Sequence, residues 1–340
     1  PKNFNNHFGV PLSMLKLAPE HDYAVLELGA SRPGEIAELA GLCRPKVGVI
    51  MPIGEARLGG FGSRQAVAEA NAELLAALPP DGHAVLADDP WLHAVASRCA
   101  APITWVGSNP RCHLRAVEVE KRQGQLDFCI AIGEPCISGD APHGKIAPAR
   151  FSVPVWGRHH LAAVLAAVAT GRMMGFDLED IARAMARFQA APMQCEVIEI
   201  RGATVINDAY DSNPTAMRAA LELLQDFDAP GRRIVVCGDM AELGPESAAF
   251  HWRLGKQVVD LGGADLLIAC GQFARHVTAG ARAAGMVRAR TIPCDTVEDA
   301  LPYLGQVILP GDVILVKGSR TMDMERLVEA LGRYPERRSA

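Results

Sequence analysis

At 340 residues, with 49% hydrophobic and 21% charged side chains, the chain has the make-up of a soluble globular protein with two cores. A formal net charge of −5 and the lack of any long basic run argue against nucleic acid as the main partner. No apolar run reaches the roughly 18 residues that span a bilayer, and no basic start followed by an apolar core marks a signal peptide.

The first half alternates short apolar runs with helical patterns. Tyr23 to Leu28 reads as a strand ending at Gly29, and Lys46 to Ile50 as another. Ser63 to Leu78 has helical periodicity and is closed by Pro79-Pro80-Asp81-Gly82. A strand over His83–Leu86 and a helix over Pro90–Cys99 follow, and this order implies a mostly parallel, helix-covered sheet. From Arg115 the texture changes: Ala116–Glu120, Leu126–Ile132 and Arg150–Val155 read as antiparallel strands. Helices are expected over His159–Met174 and Leu178–Phe188, the second capped by Asp177.

A boundary is expected near Ala190-Ala191-Pro192-Met193, dividing the chain into 1–190 and 191–340. Beyond it, Cys195 to Asn207 reads as a hairpin turning at Arg201-Gly202. Then come helix Pro214–Phe227, strand Arg233–Cys237, helix Glu246–Leu261, strand Asp265–Ala269 and helix Phe273–Ala284. Residues Arg290–Pro293, helix Val297–Leu304, strand Asp312–Val316 and helix Met324–Leu331 complete a doubly wound α/β unit, and Arg333 to Ala340 reads as a frayed tail.

Ligands of open α/β sheets bind at the carboxyl ends of the strands. Strand Arg233–Cys237 delivers Gly238, Asp239 and Glu242 to that edge, and strand Asp312–Val316 delivers Lys317, Ser319 and Arg320. Lys and Arg beside small residues suit anionic oxygens, although a capping turn with solvated charges would read the same way. Asn207 to Pro214 ends a strand and opens a helix; its polar residues suit either a cap or a ligand edge. Glu27, inside an apolar run, suits Mg²⁺ held with phosphates, or a partner Arg. Nine scattered cysteines without C-x-x-C read as reduced thiols of a cytoplasmic protein rather than disulfides or a zinc site. His159 and His160, adjacent on one helix, would point about 100° apart and chelate poorly.

Taken together these residues resemble the Mur ligase family, in its D-alanyl-D-alanine-adding branch. The matching stretches are Asn5 to Leu12, Leu26 to Ala30 with Gly34 to Ile36, Gly60 to Ser63, Gly157 to His159, Asp208 to Tyr210 with Asn213-Pro214, Gly238 to Gly244, and Val316 to Arg320. The resemblance runs over essentially the whole chain. It implies the remainder of a central ATPase domain over 1–190, incomplete at its N-terminus, and a Rossmann-like C-terminal domain over 191–340. It implies ATP and Mg²⁺ as cofactors, with UDP-N-acetylmuramoyl-tripeptide and D-Ala-D-Ala as substrates. A substrate carboxylate would be activated as an acyl phosphate and attacked by the incoming amine. By position, Glu27 would lie by Mg²⁺, and Asn5 and Asn6 by the UDP-linked substrate. His159 would lie by the base, with Asp208, Tyr210 and Asn213 around the nucleotide. Asp239, Glu242, Lys317, Ser319 and Arg320 would face the acyl phosphate or the dipeptide, with Glu27 and Lys317 as the catalytic pair. A cytoplasmic monomer is expected.

No G-x-x-x-x-G-K-S/T phosphate loop occurs in the 340 residues; the resemblance would put it just before Pro1, as in a fragment, and leaves the chain alone inactive. Pro52 and Arg57 stand where the family has Asn and a metal-side His, and Arg cannot ligate a cation. Asn71 replaces a Lys, His160 and Ala163 replace Asn, Pro192-Met193-Gln194 replaces Pro-Gly-Arg, and Asn207 and Asp211 invert the usual Asp and Asn. These departures keep open an alternative: a non-catalytic homologue that binds a nucleotide-sugar peptide or a partner ligase. A dinucleotide oxidoreductase fits poorly, since no G-x-G-x-x-G follows a strand.

Overall fold

The structure, a computed structural model, describes residues 4–133 and 145–333. The expected frayed tail from residue 334 on lies outside the described residues. Two six-stranded sheets organise the chain. The first runs in sequence order through β1 (Val47–Ile50), β2 (His83–Ala87), β3 (Ile103–Gly107), β4 (Leu114–Arg122), β5 (Gln125–Ile132) and β6 (Lys145–Val153). β1 to β4 are parallel, and β4 to β6 are antiparallel. The second contains β7 (Glu196–Ile200), β8 (Ala203–Asp208), β9 (Arg233–Cys237), β10 (Leu266–Cys270), β11 (Thr291–Cys294) and β12 (Val313–Lys317). Its order is β11-β10-β9-β12-β8-β7, parallel except for β7.

Both sheets are covered on both faces, which is why their central strands are continuous apolar runs. In β9, Ile234 and Val236 pack with Ile314, Leu304 and Leu327, while Val235 and Cys237 pack with Leu315, Leu221 and Leu254 on the other face. In the first sheet Phe128 and Phe151 stack at 5.2 Å over Leu165, and Leu86 faces Leu75 and Leu92. Helix 214–225 starts where the side chain of Asn213 accepts the N–H of Ala216, with Pro214 in the first turn. The β7–β8 hairpin turns on Arg201 and Gly202, both at positive φ (55° and 76°), as the two-residue turn requires.

Several expectations are corrected. Tyr23 to Leu28 is not a strand, because no ladder partner runs beside it among the described residues; Val25 is 96% exposed. The helix expected over 63–78 breaks at Ala72 into Arg64–Asn71 and Glu73–Ala77. Asp177 sits at the N-cap of helix 178–185, yet its side chain makes no capping bond. The helix expected from His159 starts at Leu161, behind a 3₁₀ turn over Arg158–His160. β3 had no counterpart in the sequence reading.

Candidate active site

The carboxyl ends of β8, β9 and β12 meet in one hydrogen-bonded cluster. Gly238 N–H donates to the Lys317 carbonyl at 2.9 Å, and Ser319 N–H to the Asp239 carbonyl at 3.1 Å. Lys317 is 3% exposed, and its ammonium donates to Asp208 Oδ2 at 2.6 Å and to the Asp211 carbonyl at 2.8 Å. A buried ammonium persists only with such partners. The Ser319 hydroxyl donates to the Ser212 carbonyl at 3.1 Å and accepts the Ala241 N–H at 2.8 Å. Arg320 pairs with Asp323 at 3.1 Å and Glu325 at 2.6 Å. The sequence reading turned Lys317, Ser319 and Arg320 toward a ligand; the structure occupies all three with the chain's own acceptors. Asp239 is likewise occupied, accepting the N–H groups of Gln272 (2.8 Å) and Phe273 (3.0 Å) at the start of helix 274–283.

Asp208 is the hinge of the cluster. Its Oδ1 accepts the Cys195 N–H at 3.1 Å, and Cys195 Sγ lies 3.7 Å from His159 Nε2. His159, from the turn after the first sheet, therefore stands beside the end of β8 in the second. Packing around its ring, with His160 beside it, pushes the His159 imidazole down to about 4. Burial, with the Asp208 carboxylate, pushes the Cys195 thiol up to about 12. The His159 ring is held by Gly157, where a Cβ would lie 2.6 Å from it. Tyr210 is half-buried, and its hydroxyl has no hydrogen bond among the described residues. Asn207 Oδ1 and Ser212 Oγ are buried without a partner among the described residues. Such orphans at a strand edge suit a bound polar group.

A second group sits on the first half. Asn5 Nδ2 donates to Glu27 Oε1 at 2.9 Å, and the Asn5 carbonyl accepts the Gly29 N–H at 2.8 Å. Asn6 turns the other way: its Oδ1 accepts the N–H groups of Phe8 and Gly9 and starts helix 9–14. Arg57, which sequence reasoning counted only as a lost metal-side residue, links the two groups. Its Nη1 donates to the Ala30 carbonyl at 2.6 Å, and its Nε lies 3.4 Å from Glu242 Oε2. Both partners of that ion pair have left-handed backbones, φ 56° for Arg57 and 60° for Glu242. Gly59 N–H donates to the Glu242 carbonyl at 2.7 Å, and a Cβ on Gly59 would lie 2.9 Å from Gly244 N. Glu55 N–H reaches the Thr215 hydroxyl at 3.0 Å. The loops carrying Glu27, Arg57 and Glu242 thus form one continuous edge across the two sheets.

Family models match the chain in two consecutive blocks: the Mur ligase middle domain over residues 1–171, and the Mur ligase glutamate ligase domain over residues 193–320. The chain belongs to the Mur ligase family. Curated UDP-N-acetylmuramoyl-tripeptide–D-alanyl-D-alanine ligases from Bacillus subtilis and Escherichia coli are 31% and 33% identical to this Mur ligase, over 98% and 97% of its length and 69% of theirs. A crystal structure of MurF from Acinetobacter baumannii is 31% identical and aligns over 98% of this chain and 70% of that one, with a TM-score of 0.85. MurF ligase from Thermotoga maritima in complex with ADP is 25% identical over 98% of this chain and 72% of that one, with a TM-score of 0.79. In this Mur ligase the donors and acceptors at the end of β8 (Asp208, Tyr210, orphaned Asn207 and Ser212) suit a nucleotide's hydroxyls and phosphates. Glu27 and Asn5 offer hard oxygens of the kind Mg²⁺ takes.

Proposed function

We propose that this Mur ligase joins D-Ala-D-Ala to UDP-N-acetylmuramoyl-tripeptide with conversion of ATP to ADP and phosphate, a step of peptidoglycan precursor synthesis. The observation that carries the reading is the shared edge: His159 stands beside Cys195 and Asp208, and Arg57 joins the Glu27 and Glu242 loops. The names of the relatives, matched along nearly the whole chain, support it.

In this reading the tripeptide carboxylate takes the terminal phosphoryl group of ATP, and the amine of D-Ala-D-Ala displaces it as phosphate. His159, Tyr210 and Asn213 border the nucleotide, and Asp208 faces its ribose and phosphates. Glu27, steadied by Asn5, would hold Mg²⁺, which supplies charge neutralisation at the phosphates. Asn5 and Asn6 line the side of the UDP-linked substrate; Asp239, Glu242 and Arg320 border the dipeptide. Lys317 and Ser319 act as positioning residues, because their polar atoms brace the 208–212 and 238–244 loops. Residues 1–190 and 191–340 act as the two working units of a cytoplasmic monomer. The 340-residue chain lacks G-x-x-x-x-G-K-S/T and is inactive on its own.

The second reading, a non-catalytic homologue that binds a nucleotide-sugar peptide, is favoured by one observation. The Arg57 guanidinium occupies the place of a metal-side residue and is paired with Glu242. One experiment separates the two. ATP, Mg²⁺, the UDP-linked tripeptide and D-Ala-D-Ala are supplied to the chain alone and to the chain fused behind the N-terminal third of the Escherichia coli relative. The pentapeptide product should appear by mass spectrometry only with the fusion. A fusion that binds Mg-ATP and both substrates yet makes no product would establish the second reading instead.

A further inference from the structure

The two histidines dismissed as a chelating pair do converge once the chain is folded. The 3₁₀ turn over Arg158–His160 brings the rings of His159 and His160 to 4.1 Å between centroids, 40° apart in plane. A third donor comes from distant sequence: Cys195 Sγ, from the turn that opens β7, lies 3.7 Å from His159 Nε2. One ligand atom from each of His159, His160 and Cys195 lies within 4.8 Å of the others. Donors about 2.0–2.3 Å from a tetrahedral zinc ion stand roughly 3.3–3.6 Å apart, so small side-chain rotations close the set.

We propose that His159, His160 and Cys195 form a binding site for a single Zn²⁺-class cation, with water in the fourth position. Two imidazoles and a thiolate are the donors that select such a borderline ion over Mg²⁺ or Ca²⁺. An imidazole ligates in its neutral form, so each of the two rings offers one ring nitrogen to the ion. The Cys195 thiol gives up its proton to solvent as the sulfur–metal bond forms, one proton per ion. Lys317 and Asp208 both act on this thiol, and Asp208 holds its backbone through the Cys195 N–H. Because His159 and His160 follow the first sheet and Cys195 opens the second, the ion would stitch the two halves together. His159 also borders the nucleotide in the proposed ligase reading, so an ion and a base would compete for this ring; metal binding is therefore read without nucleotide and stands or falls apart from the ligase reading.

Co²⁺ alone, titrated into the reduced chain, is the probe. Wild type should bind one equivalent, with intense tetrahedral d–d bands and a sulfur-to-cobalt charge-transfer band, and Zn²⁺ should displace it. Cys195→Ser should abolish the charge-transfer band, and His160→Asn should weaken binding roughly 100-fold or more. Cys294→Ser serves as the control, because Cys294 lies beside Cys270 in the β10–β11 pairing, at the edge of the sheet opposite β7. The control should bind as wild type does. The proposal is overturned if wild type shows no tetrahedral spectrum, if C195S keeps the charge-transfer band, or if C294S loses it. Should C195S not fold, as read by circular dichroism, unchanged affinity in H160N overturns it equally.

Discussion

Lys317 shows how a residue type is legible when its partners are not. A Lys beside Gly318 and Ser319 reads as an anion site, yet its ammonium is buried against Asp208 and the Asp211 carbonyl. Sequence cannot show this, because the acceptors lie over a hundred residues away in the chain. Lys317→Met leaves Asp208 without its cation and should cost roughly 3 kcal/mol or more of unfolding free energy in urea. Adding Asp208→Asn to K317M should recover part of that loss; additive losses would contradict the pairing. His159 offers a pH test. Its imidazole is lowered from about 6.5 to about 4, so the unfolded state binds the proton more tightly than the folded one. Stability from this group is fully present above pH 6.5 and is lost as pH falls toward 4. Thermal melts across that window should fall with acidification, and His159→Gln should flatten the fall. An NMR titration midpoint for His159 above 6 would contradict a lowered imidazole at this position.

The elements were legible where local chemistry and burial agree. Asn213-Pro214 fixes a helix start by capping alone, and the Arg201-Gly202 turn fixes a hairpin. Tyr23–Leu28 fails for the opposite reason: its composition is that of a strand, but a strand exists only with a neighbour. Ala72 divides what periodicity joins, since an apolar stripe does not report a break in backbone hydrogen bonding. β3 went unread because Ile103–Gly107 is short and has one fully buried side chain, Val106. The capping role of Asn213 is testable. Asn213→Ala should destabilise the protein by about 1 kcal/mol, while Asn213→Asp, which keeps the acceptor, should cost far less. Equal losses would mean that the side chain serves something other than the cap.

At the scale of the molecule, the α/β class and the two blocks of elements follow from the alternation of apolar runs and helical stripes. How the blocks meet does not, because it rests on contacts between residues far apart in the chain, among them the Trp156–Phe227 stack, the Lys121–Asp226 pair and a backbone approach of two glycines. Gly59 and Gly244 approach so closely that a Cβ on Gly59 must displace the facing chain. Gly59→Ala should loosen the junction and raise the small-angle scattering radius, whereas Gly41→Ala, with open space around its Cβ, should leave it unchanged. An unaltered radius in G59A would show that the other contacts across the junction, Arg57–Glu242, Glu55–Thr215, Lys121–Asp226 and Trp156–Phe227, suffice to hold the halves. The most direct test of a shared nucleotide edge is NMR titration of the 340-residue chain with Mg-ADP. His159 of the first half, and Tyr210 and Asn213 of the second, should shift together with one dissociation constant. Shifts confined to one half, or none at these residues, would contradict a nucleotide site built by both.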